Sequence, residues 1–289
     1  MRKSFVYSNK IKPNKNLGQN FLIDKTVAER MADTEGLSKD MGVIEIGPGT
    51  GELTEKLLKR YSQVVCIEID RKFIPVLSER FSKFSNFTLI NSDILKVDLL
   101  EIIEKHLAGK EVAVFGNLPY YITSPIIMNL LQNEYPIDYI VVMMQKEAAE
   151  RFAAEEGSRN SGAVTLAVRY YSDVDILFEV GAESFYPKPK VDSSVVRFEI
   201  LKTKRVIPSN EKKMFEIIKA AFSQRRKTSA NAISFATGID KSRIEEILKT
   251  LGLNPKIRAE RLRLSDYCEI SDLLDKKPVI RKNTDIVIV

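Results

Sequence analysis

The sequence predicts an α/β fold: a doubly wound, mainly parallel sheet with an antiparallel edge, followed by a small all-helical C-terminal domain. Short Val- and Ile-rich runs alternate with amphipathic helical patterns along the first half of the chain, which is typical of a parallel sheet covered on both faces. Two closely spaced apolar runs then follow without a helix between them. The remaining segments show helical periodicity and no strand pattern.

The predicted elements follow in chain order. The first helix begins at Asp24, a residue type that caps helix N-termini. The apolar runs that predict the parallel strands are Gly42 to Ile46, Val64 to Ile69, Phe87 to Ile90, Val112 to Phe115 and Tyr139 to Met144. The segments VDILFEV and VDSSVVRFEI, joined by the proline-rich FYPKPK, predict the antiparallel pair.

A change of composition predicts the domain boundary. The segment LKTKRVIPSNEKK is charged and contains Pro208, and two helical patterns follow it. We therefore expect a first domain over residues 1–203 with a basic N-terminal leader, a helical domain over 204–275, and a mobile tail over 276–289.

Composition restricts the classes of function. Apolar residues make up 44% of the chain and charged residues 29%, and no uncharged stretch approaches the roughly 18 residues of a membrane span. We expect a cytoplasmic protein with no membrane partner. One histidine and two cysteines form no cluster at metal-ligand spacing, which argues against a metal site and against Cys-His or Ser-His catalysis. The formal charge of +6 favours a polyanionic partner such as nucleic acid.

The stretch VIEIGPGTGELTEKLL predicts a turn that binds a ligand at the end of the first parallel strand. Gly47, Gly49 and Gly51 allow the backbone to turn tightly and to approach a ligand. Glu45, just before the loop, disfavours a phosphate and favours a cation or an α-amino group. A plain tight turn explains the same glycines.

The next two strand ends carry acidic residues. Glu68 follows Gly47 by about 20 residues, where a carboxylate can accept hydrogen bonds from both hydroxyls of a ribose. Asp93 follows the third strand, where it can accept from an adenine amine. Taken singly, an acidic residue at the end of a strand is more often an ordinary solvated charge. Together with the glycines they fit a cofactor with a ribose, an adenine, an amino acid and no phosphate, which describes S-adenosylmethionine.

The fourth strand ends in NLPY, which resembles the Asn/Asp-Pro-Pro-Tyr/Phe signature of methyltransferases that modify exocyclic amines of nucleobases. The side-chain oxygen of Asn117 and the carbonyl of Leu118 can accept the N–H groups of such an amine. Pro119 fixes the local φ angle, and Tyr120 can stack on the base. The alternative is a turn with an Asn cap and two tyrosines packed at the sheet edge.

Further motifs resemble those of the ribosomal RNA adenine dimethyltransferase family, over about residues 16–274. In chain order they are NLGQNFLID, EIGPGTGELT, IEID, FGNLPYYITSPI, MMQKEAAER, FYPKPKVDSSVVRF, AFSQRRKT and RAERLRLSD. The resemblance implies a Rossmann-like methyltransferase that uses S-adenosylmethionine. It also implies dimethylation of N6 on two adjacent adenines, in a hairpin loop near the 3′ end of small-subunit ribosomal RNA. We expect a monomer that acts on the 30S subunit or its precursor during ribosome biogenesis.

The resemblance also implies roles for individual residues. It places Asn20, Leu22, Gly47, Glu68, Asp93 and Asn117 at the cofactor, and it makes Phe185 a second aromatic wall for the base, opposite Tyr120. Taken alone, Phe185 is a core residue. The chain departs from the family at Ser229 and Ala230, where the family commonly has Leu and Arg, and this departure concerns the RNA contacts of the helical domain.

Basic residues concentrate in three clusters: Lys10, Lys12 and Lys15; Arg225, Arg226 and Lys227; and Lys256, Arg258, Arg261 and Arg263. A charge run is often only solvated surface. In a protein that binds ribosomal RNA, these clusters predict phosphate contacts. Because the target adenine must leave its stack, single-stranded loop RNA is the expected substrate.

Two alternatives stay open from the sequence. One is an enzyme of the same fold that acts on large-subunit RNA, of the type that confers macrolide resistance; the tyrosine pair and FYPKPKVDSSVV favour the small-subunit enzyme. The other is a noncatalytic RNA-binding or transcription factor on the same scaffold. The intact Asn117, Pro119 and Tyr120 argue against lost activity.

Overall fold

The computed structural model describes residues 13–14, 17–224 and 226–275. Contacts between residues divide these into two compact units: the part up to residue 154 together with 171–203, and 155–170 together with the part from 204 onward. The division into domains of 1–203 and 204–275 stays a prediction; the contact-based units differ from it in where they assign 155–170. The predicted tail, 276–289, lies outside the described residues.

The first unit contains a seven-stranded sheet and a two-stranded one. Its strands are β1 Phe21–Leu22, β2 Gly42–Ile46, β3 Gln63–Glu68, β4 Phe87–Asn91, β5 Val112–Asn117, β6 Tyr139–Gln145, β7 Ser172–Val180, β8 Phe185–Tyr186 and β9 Ser193–Ile200. The order in the large sheet is β4-β3-β2-β5-β6-β9-β7. Pairing is parallel from β4 to β6, and β9 is antiparallel to both of its neighbours. The predicted mainly parallel sheet with an antiparallel edge is confirmed.

The strand order places a ligand site at one edge of this sheet. The strands β2, β3 and β5 are buried along nearly their whole length, which explains their continuous apolar sequences. Strands β3 and β4 lie on one side of β2, and β5 lies on the other. The direction of winding therefore reverses between β2 and β5, and ligands bind such sheets outside the carboxyl ends of the strands at this point.

Helices of the first unit connect the strands. They are α1 Lys25–Ala32, α2 Glu52–Arg60, α3 Phe73–Phe81, α4 Leu99–His106, α5 Thr123–Gln132 and α6 Lys146–Phe152. Asp24 caps α1 by accepting from the main-chain N–H of Thr26, which confirms the predicted helix start. Asp98 caps α4 in the same way. Among the described residues, no helix combines the length and the apolar character that crossing a bilayer requires.

The second unit is helical where it is described. Helix α7, Ala163–Tyr171, ends at the boundary with the first unit, and the later helices are α8 Glu211–Ala221, α9 Ser229–Thr237, α10 Lys241–Thr250 and α11 Leu264–Asp275. Side chains of Asn210, Thr228 and Asp240 cap α8, α9 and α10. The prediction of a helical C-terminal region is confirmed.

The two-stranded sheet pairs β1 with β8, with Phe21 opposite Tyr186 and Leu22 opposite Phe185. The main-chain N–H of Ile23 donates to the Ser184 carbonyl at 2.9 Å and extends this pairing. Strands of two residues have no detectable periodicity, so the sequence did not predict them. The pairing holds residues 21–23 against the start of the FYPKPK segment.

A carboxyl group is buried in β2. Glu45 is 2% exposed, and it lies opposite Cys66 of β3. The Cys66 thiol donates a hydrogen bond to Glu45 Oε2 over 3.3 Å. Burial raises the pKa of Glu45 to about 7, because the charged form loses its hydration inside the protein.

We expect Gly51→Ala to destabilise the first unit strongly. Gly51 has φ +83°, and a Cβ there would lie 2.6 Å from Cε2 of the Phe81 ring. Left-handed backbone strain and overpacking together should lower the free energy of unfolding by about 2–4 kcal/mol. The matched control is Gly109→Ala, at φ +75° with no atom within 4 Å of its Cβ, which should lose only about 1 kcal/mol. Urea denaturation measures both; equal losses would contradict the role of Phe81.

The buried Glu45 should make stability depend on pH. Its pKa is about 7 when folded and 4.5 in the ordinary reference state, so the folded protein holds an extra proton between these values. The contribution of Glu45 to the free energy of unfolding is fully present below pH 4.5, and it is lost as the pH rises through about 7. Glu45→Gln, which cannot ionise, should therefore gain up to about 3 kcal/mol over the wild type between pH 5 and pH 8. Urea titrations at both pH values test this, with exposed Glu104→Gln as the control; parallel pH profiles for wild type and Glu45→Gln would contradict it.

Candidate active site

A cavity opens at the carboxyl edge of the sheet, where β2, β3 and β5 end. Its empty space, counted out to open solvent, is about 790 Å³. It lies within the first unit. Its walls are the leader segment 17–22, Glu45, the loop 47–50, Glu52, Leu53, Glu68, Ile69 and the segment 117–120.

The glycine loop, residues 47–50, lines the cavity next to the end of β2. The Gly51 N–H donates to the Pro48 carbonyl at 2.8 Å, and the Gly47 N–H donates to the Ile67 carbonyl at 2.9 Å. Gly47 has φ +68°, and no atom lies within 4 Å of the position that a Cβ would take. The loop therefore makes a tight turn and leaves open space beside Gly47.

Glu68 ends β3 and lines the cavity while only 3% exposed. Its Oε2 accepts from the Gly49 N–H at 2.9 Å, and its Oε1 accepts from the Asp70 N–H at 2.8 Å. Burial raises the pKa of Glu68, against the opposing effect of these two hydrogen bonds. The two bonds fix the carboxylate between the glycine loop and the end of β3, and each oxygen has a further lone pair for a ligand.

The leader forms one wall of the cavity. The Gln19 side chain donates to Asp70 Oδ2 at 2.9 Å and accepts from the Asn14 N–H at 2.8 Å. Asn20 and Leu22 line the cavity, and Leu22 is fixed by its pairing with Phe185. The structure thus brings both leader residues that the family resemblance indicated to the same cavity as Glu68.

Asn117 has a defined amide orientation at the end of β5. Its Nδ2 donates to the main-chain carbonyl of Asn20 at 2.8 Å. The side-chain Oδ1 therefore lies on the opposite side of the amide carbon, and within the described part of the chain no group donates to it. An acceptor on the wall of the cavity is left available.

The two residues after Asn117 complete a turn. The Leu118 N–H donates to the Met143 carbonyl at 3.2 Å and extends the pairing of β5 with β6. The Pro119 carbonyl accepts from the Ile122 N–H at 3.1 Å and from Thr123 Oγ1 at 3.1 Å. Considering only described residues, the Leu118 carbonyl accepts no protein hydrogen bond. A second acceptor thus lies next to Asn117.

The two tyrosines of the motif differ in their environment. Tyr120 is half-buried on the cavity wall, and its hydroxyl lies 2.9 Å from Ser193 Oγ. Burial raises the pKa of Tyr120, so the phenol is neutral at physiological pH. Tyr121 is 59% exposed and packs over Gly18. Only the first tyrosine lines the cavity.

Two predicted site residues do not line the cavity. Asp93 Oδ1 accepts from the Leu95 N–H at 3.1 Å, and its Oδ2 lies 3.8 Å from Lys96 Nζ. Phe185 is 3% exposed and belongs to the hydrophobic core, as expected for this residue taken alone. The other predicted residues, Asn20, Leu22, Gly47, Glu68, Asn117, Leu118, Pro119 and Tyr120, meet at the cavity.

The sequence analysis did not single out Gln19, Phe21 and Ile69, which are among the residues that line the cavity. Gln19 and Phe21 precede the first helix without a pattern that marks them. Ile69 directly follows Glu68, and its side chain is 50% exposed. Its position between Glu68 and Asp70 at the end of a strand could have marked it in the sequence.

Two of the basic clusters approach each other in the second unit. The Ser229 N–H and Oγ both donate to the Ile257 carbonyl, at 2.8 and 2.9 Å. This joins the segment after Arg226 and Lys227 to the segment around Lys256 and Arg258. All six described cations of these clusters are exposed: Arg226, Lys227, Lys256, Arg258, Arg261 and Arg263. Lys10, Lys12, Lys15 and Arg225 lie outside the described residues.

Ser229 and Ala230, the two positions at which this chain departs from the family pattern, lie at the buried start of α9. Both residues are fully buried, and Thr228 caps the helix. The serine hydroxyl is used within the protein, on Ile257. These two positions therefore serve packing in this chain.

Comparisons with known proteins identify the family. The family model described as ribosomal RNA adenine dimethylase matches residues 10–276. Two relatives are named ribosomal RNA small subunit methyltransferase A. The one from Alkaliphilus oremlandii is 40% identical over 278 residues, covering 95% of this chain and 96% of the relative. The one from Lachnoclostridium phytofermentans is 43% identical over 266 residues, covering 91% and 92%.

Solved structures share the fold. A dimethyladenosine transferase from Plasmodium falciparum aligns with a TM-score of 0.71 at 24% identity, over 86% of this chain and 94% of that one. The 23S rRNA methyltransferase ErmE aligns with a TM-score of 0.68 at 24% identity, over 89% of this chain and 100% of that one. The family match spans nearly the whole chain and includes the residues of the cavity, so the chain belongs to the ribosomal RNA adenine dimethylase family.

Proposed function

We propose that this protein is an S-adenosylmethionine-dependent methyltransferase that dimethylates N6 of two adjacent adenines, in a hairpin loop near the 3′ end of small-subunit ribosomal RNA. Family membership and the names of the relatives support the reaction and the RNA. The observation that carries the chemistry is the pair of acceptors at Asn117 Oδ1 and the Leu118 carbonyl, on the wall of one cavity with Glu68.

The two acceptors answer the main chemical difficulty of the reaction. The lone pair of an adenine N6 is delocalised into the ring, so the amine is a poor nucleophile. When Asn117 Oδ1 and the Leu118 carbonyl accept its two N–H groups, the nitrogen can become pyramidal and its lone pair can be directed at a methyl donor. A monomethylated amine keeps one N–H, which one acceptor can hold. The displaced proton goes to solvent, so no strong base is needed.

The residues at the carboxyl edge fit the cofactor. Glu68 is held by the Gly49 and Asp70 N–H groups, and its remaining lone pairs accept from the ribose hydroxyls. The open space beside Gly47 admits the amino-acid end. Asn20 and Leu22 close the cavity from the leader side. When bound, this cofactor supplies a methyl group on a positively charged sulfur.

The adenine of the cofactor extends toward the end of β4 in this proposal. Asn91 of β4 pairs with Glu68, and Asp93 follows two residues later. Its Oδ1 already caps the turn at Leu95, and a carboxylate has further lone pairs that accept from an adenine amine.

The target base stacks on Tyr120, whose ring lines the cavity. Base stacking on an aromatic side chain contributes about 1–3 kcal/mol. Phe185 is buried in the core beside Leu22, so the proposed stacking rests on Tyr120 alone.

We propose the 30S subunit or its precursor as the partner, with the protein acting as a monomer. Exposed cations of the second unit, Arg226, Lys227, Lys256 and Arg258 among them, provide phosphate contacts. Affinity for RNA should therefore fall steeply with salt. A ribosomal substrate implies action in the cytoplasm.

Methyl transfer to purified RNA tests this function. We expect the protein with labelled S-adenosylmethionine to methylate small-subunit RNA, in undermethylated 30S subunits, and to yield N6,N6-dimethyladenine by mass spectrometry. Asn117→Ala should lower kcat about 100- to 1,000-fold, because one acceptor is lost. Asn117→Asp should also lose activity, because its carboxylate cannot donate to the Asn20 carbonyl and is repelled by it.

The control for these variants is Asn133→Ala. Asn133 is exposed, and its amide also donates to a main-chain carbonyl, that of Asn129, at 2.8 Å; this variant should be fully active. Methylation of large-subunit RNA alone would support the macrolide-resistance alternative. Normal turnover by Asn117→Ala would refute the acceptor role.

Glu68→Gln should weaken binding of the cofactor and leave binding of the RNA unchanged. The amide retains one acceptor but loses the charge, so the cofactor Kd should rise about 30-fold or more, which corresponds to ~2 kcal/mol. Affinity for RNA should stay within about twofold. Calorimetry with the cofactor and filter binding with RNA measure the two, with exposed Glu104→Gln as the control. Equal losses in both affinities would count against the ribose assignment.

A further inference from the structure

A hydrogen bond connects the aromatic residue of the NLPY motif to a distant strand. The Tyr120 hydroxyl lies 2.9 Å from Ser193 Oγ. Ser193 is fully buried, and it is not part of the cavity wall. In the described part of the chain, Tyr120 is the sole hydrogen-bond partner of this serine hydroxyl. Ser193 therefore contacts the site only through the tyrosine.

The backbone of Ser193 is fixed on both sides. It is the first residue of β9, paired with Gln145 at the end of β6 and with Val180 at the end of β7. The preceding residue, Asp192, accepts from the Lys146 N–H through its carbonyl and from the Ala182 N–H through Oδ1, both at 3.0 Å. A hydroxyl on this backbone is a rigid anchor.

The topology of the sheet explains why the Ser193 hydroxyl lies close to Tyr120. The carboxyl end of β5 lies beside the carboxyl end of β6, through the Leu118 bond to Met143. Because β9 runs antiparallel to β6, its first residue lies at the same edge of the sheet. Tyr120 extends past the end of β6 to reach Ser193.

A hydrogen bond at the far end of an aromatic ring restricts the orientation in which the ring can stack on a base. The second side-chain torsion of tyrosine is broad, so packing at the Cβ end alone leaves the ring plane poorly defined. Pro119 restricts the backbone on one side of Tyr120. A hydrogen bond at the far end of the ring then fixes its plane along the cavity wall.

We infer that Ser193 is a positioning residue, whose buried hydroxyl holds the Tyr120 ring in the plane on which the target adenine stacks. The inference rests on the proposed function and deepens it, because it assigns to the antiparallel edge of the sheet a part in placing the substrate. The serine touches neither the base nor the cofactor. It acts through the tyrosine.

The chain offers a matched control in the next residue. Ser194 is 1% exposed, and its Oγ is buried without a hydrogen-bond partner among the described residues. Neighbouring side chains of a strand point to opposite faces, so Ser194 carries the same hydroxyl in the same strand without the link to Tyr120. Removing an unpaired buried hydroxyl should be nearly neutral.

The experiment compares Ser193→Ala, Tyr120→Phe, the double variant and Ser194→Ala in methyl transfer to undermethylated 30S subunits. Loss of one hydrogen bond should lower kcat about five- to tenfold in Ser193→Ala and in Tyr120→Phe. The double variant should be no worse than either single variant, because both remove the same bond. The KM for RNA and the cofactor Kd should match those of Ser194→Ala.

Each outcome has a separate meaning. An inactive wild type would overturn the proposed function and this inference with it. An active wild type with Ser193→Ala equal to Ser194→Ala would overturn the inference alone. Losses that multiply in the double variant would overturn it too. So would a loss of cofactor affinity as large, in fold-change, as the fall in kcat, because that would indicate a merely structural role.

Discussion

The hydrogen bond from Asn117 Nδ2 to the Asn20 carbonyl is the constraint on which the site depends. It uses the donor end of the amide, so the acceptor end is the one left for a ligand. The same leader segment forms a wall of the cavity, and it is held by the pairing of β1 with β8 and by the hydrogen bond from Gln19 to Asp70. The wall of the cavity and the orientation of the Asn117 amide, to which we assign the acceptor role, are therefore set by one segment of backbone.

The electrostatics of the cavity favour a ligand without phosphate. Glu45 and Glu68 are buried on its walls, and burial raises the pKa of both. The helix that follows the glycine loop begins with Glu52, which is also buried on the cavity wall. An N-terminus of this kind would otherwise attract an anion. Carboxyl groups at the end of the strand and at the start of the helix oppose a phosphate and suit a cationic sulfur compound.

The antiparallel edge of the sheet has a place in the same site. Parallel strands deliver Glu68 and Asn117 to one edge because their carboxyl ends coincide. Strand β9 reaches that edge with its amino end, so it contributes a first residue, Ser193, rather than a last one. The parallel strands and the antiparallel strand β9 therefore both place residues next to the NLPY motif. In the second unit, the bonds from Ser229 to Ile257 similarly bring together cations that the sequence separates.

The sequence by itself determined the mainly parallel sheet, the helical C-terminal region and part of the cavity, because strand burial, helix capping and the glycine loop are local patterns; Asn20 and Leu22 were indicated only by the family resemblance. Glu68 and Asn117 follow strand ends, and the geometry of a parallel sheet brings such positions together without further information. Only the tertiary structure decided which end of the Asn117 amide is free, that Phe185 is a core residue, and that Ser193 holds Tyr120. Each of these depends on contacts between segments far apart in the chain, and no local periodicity encodes such contacts.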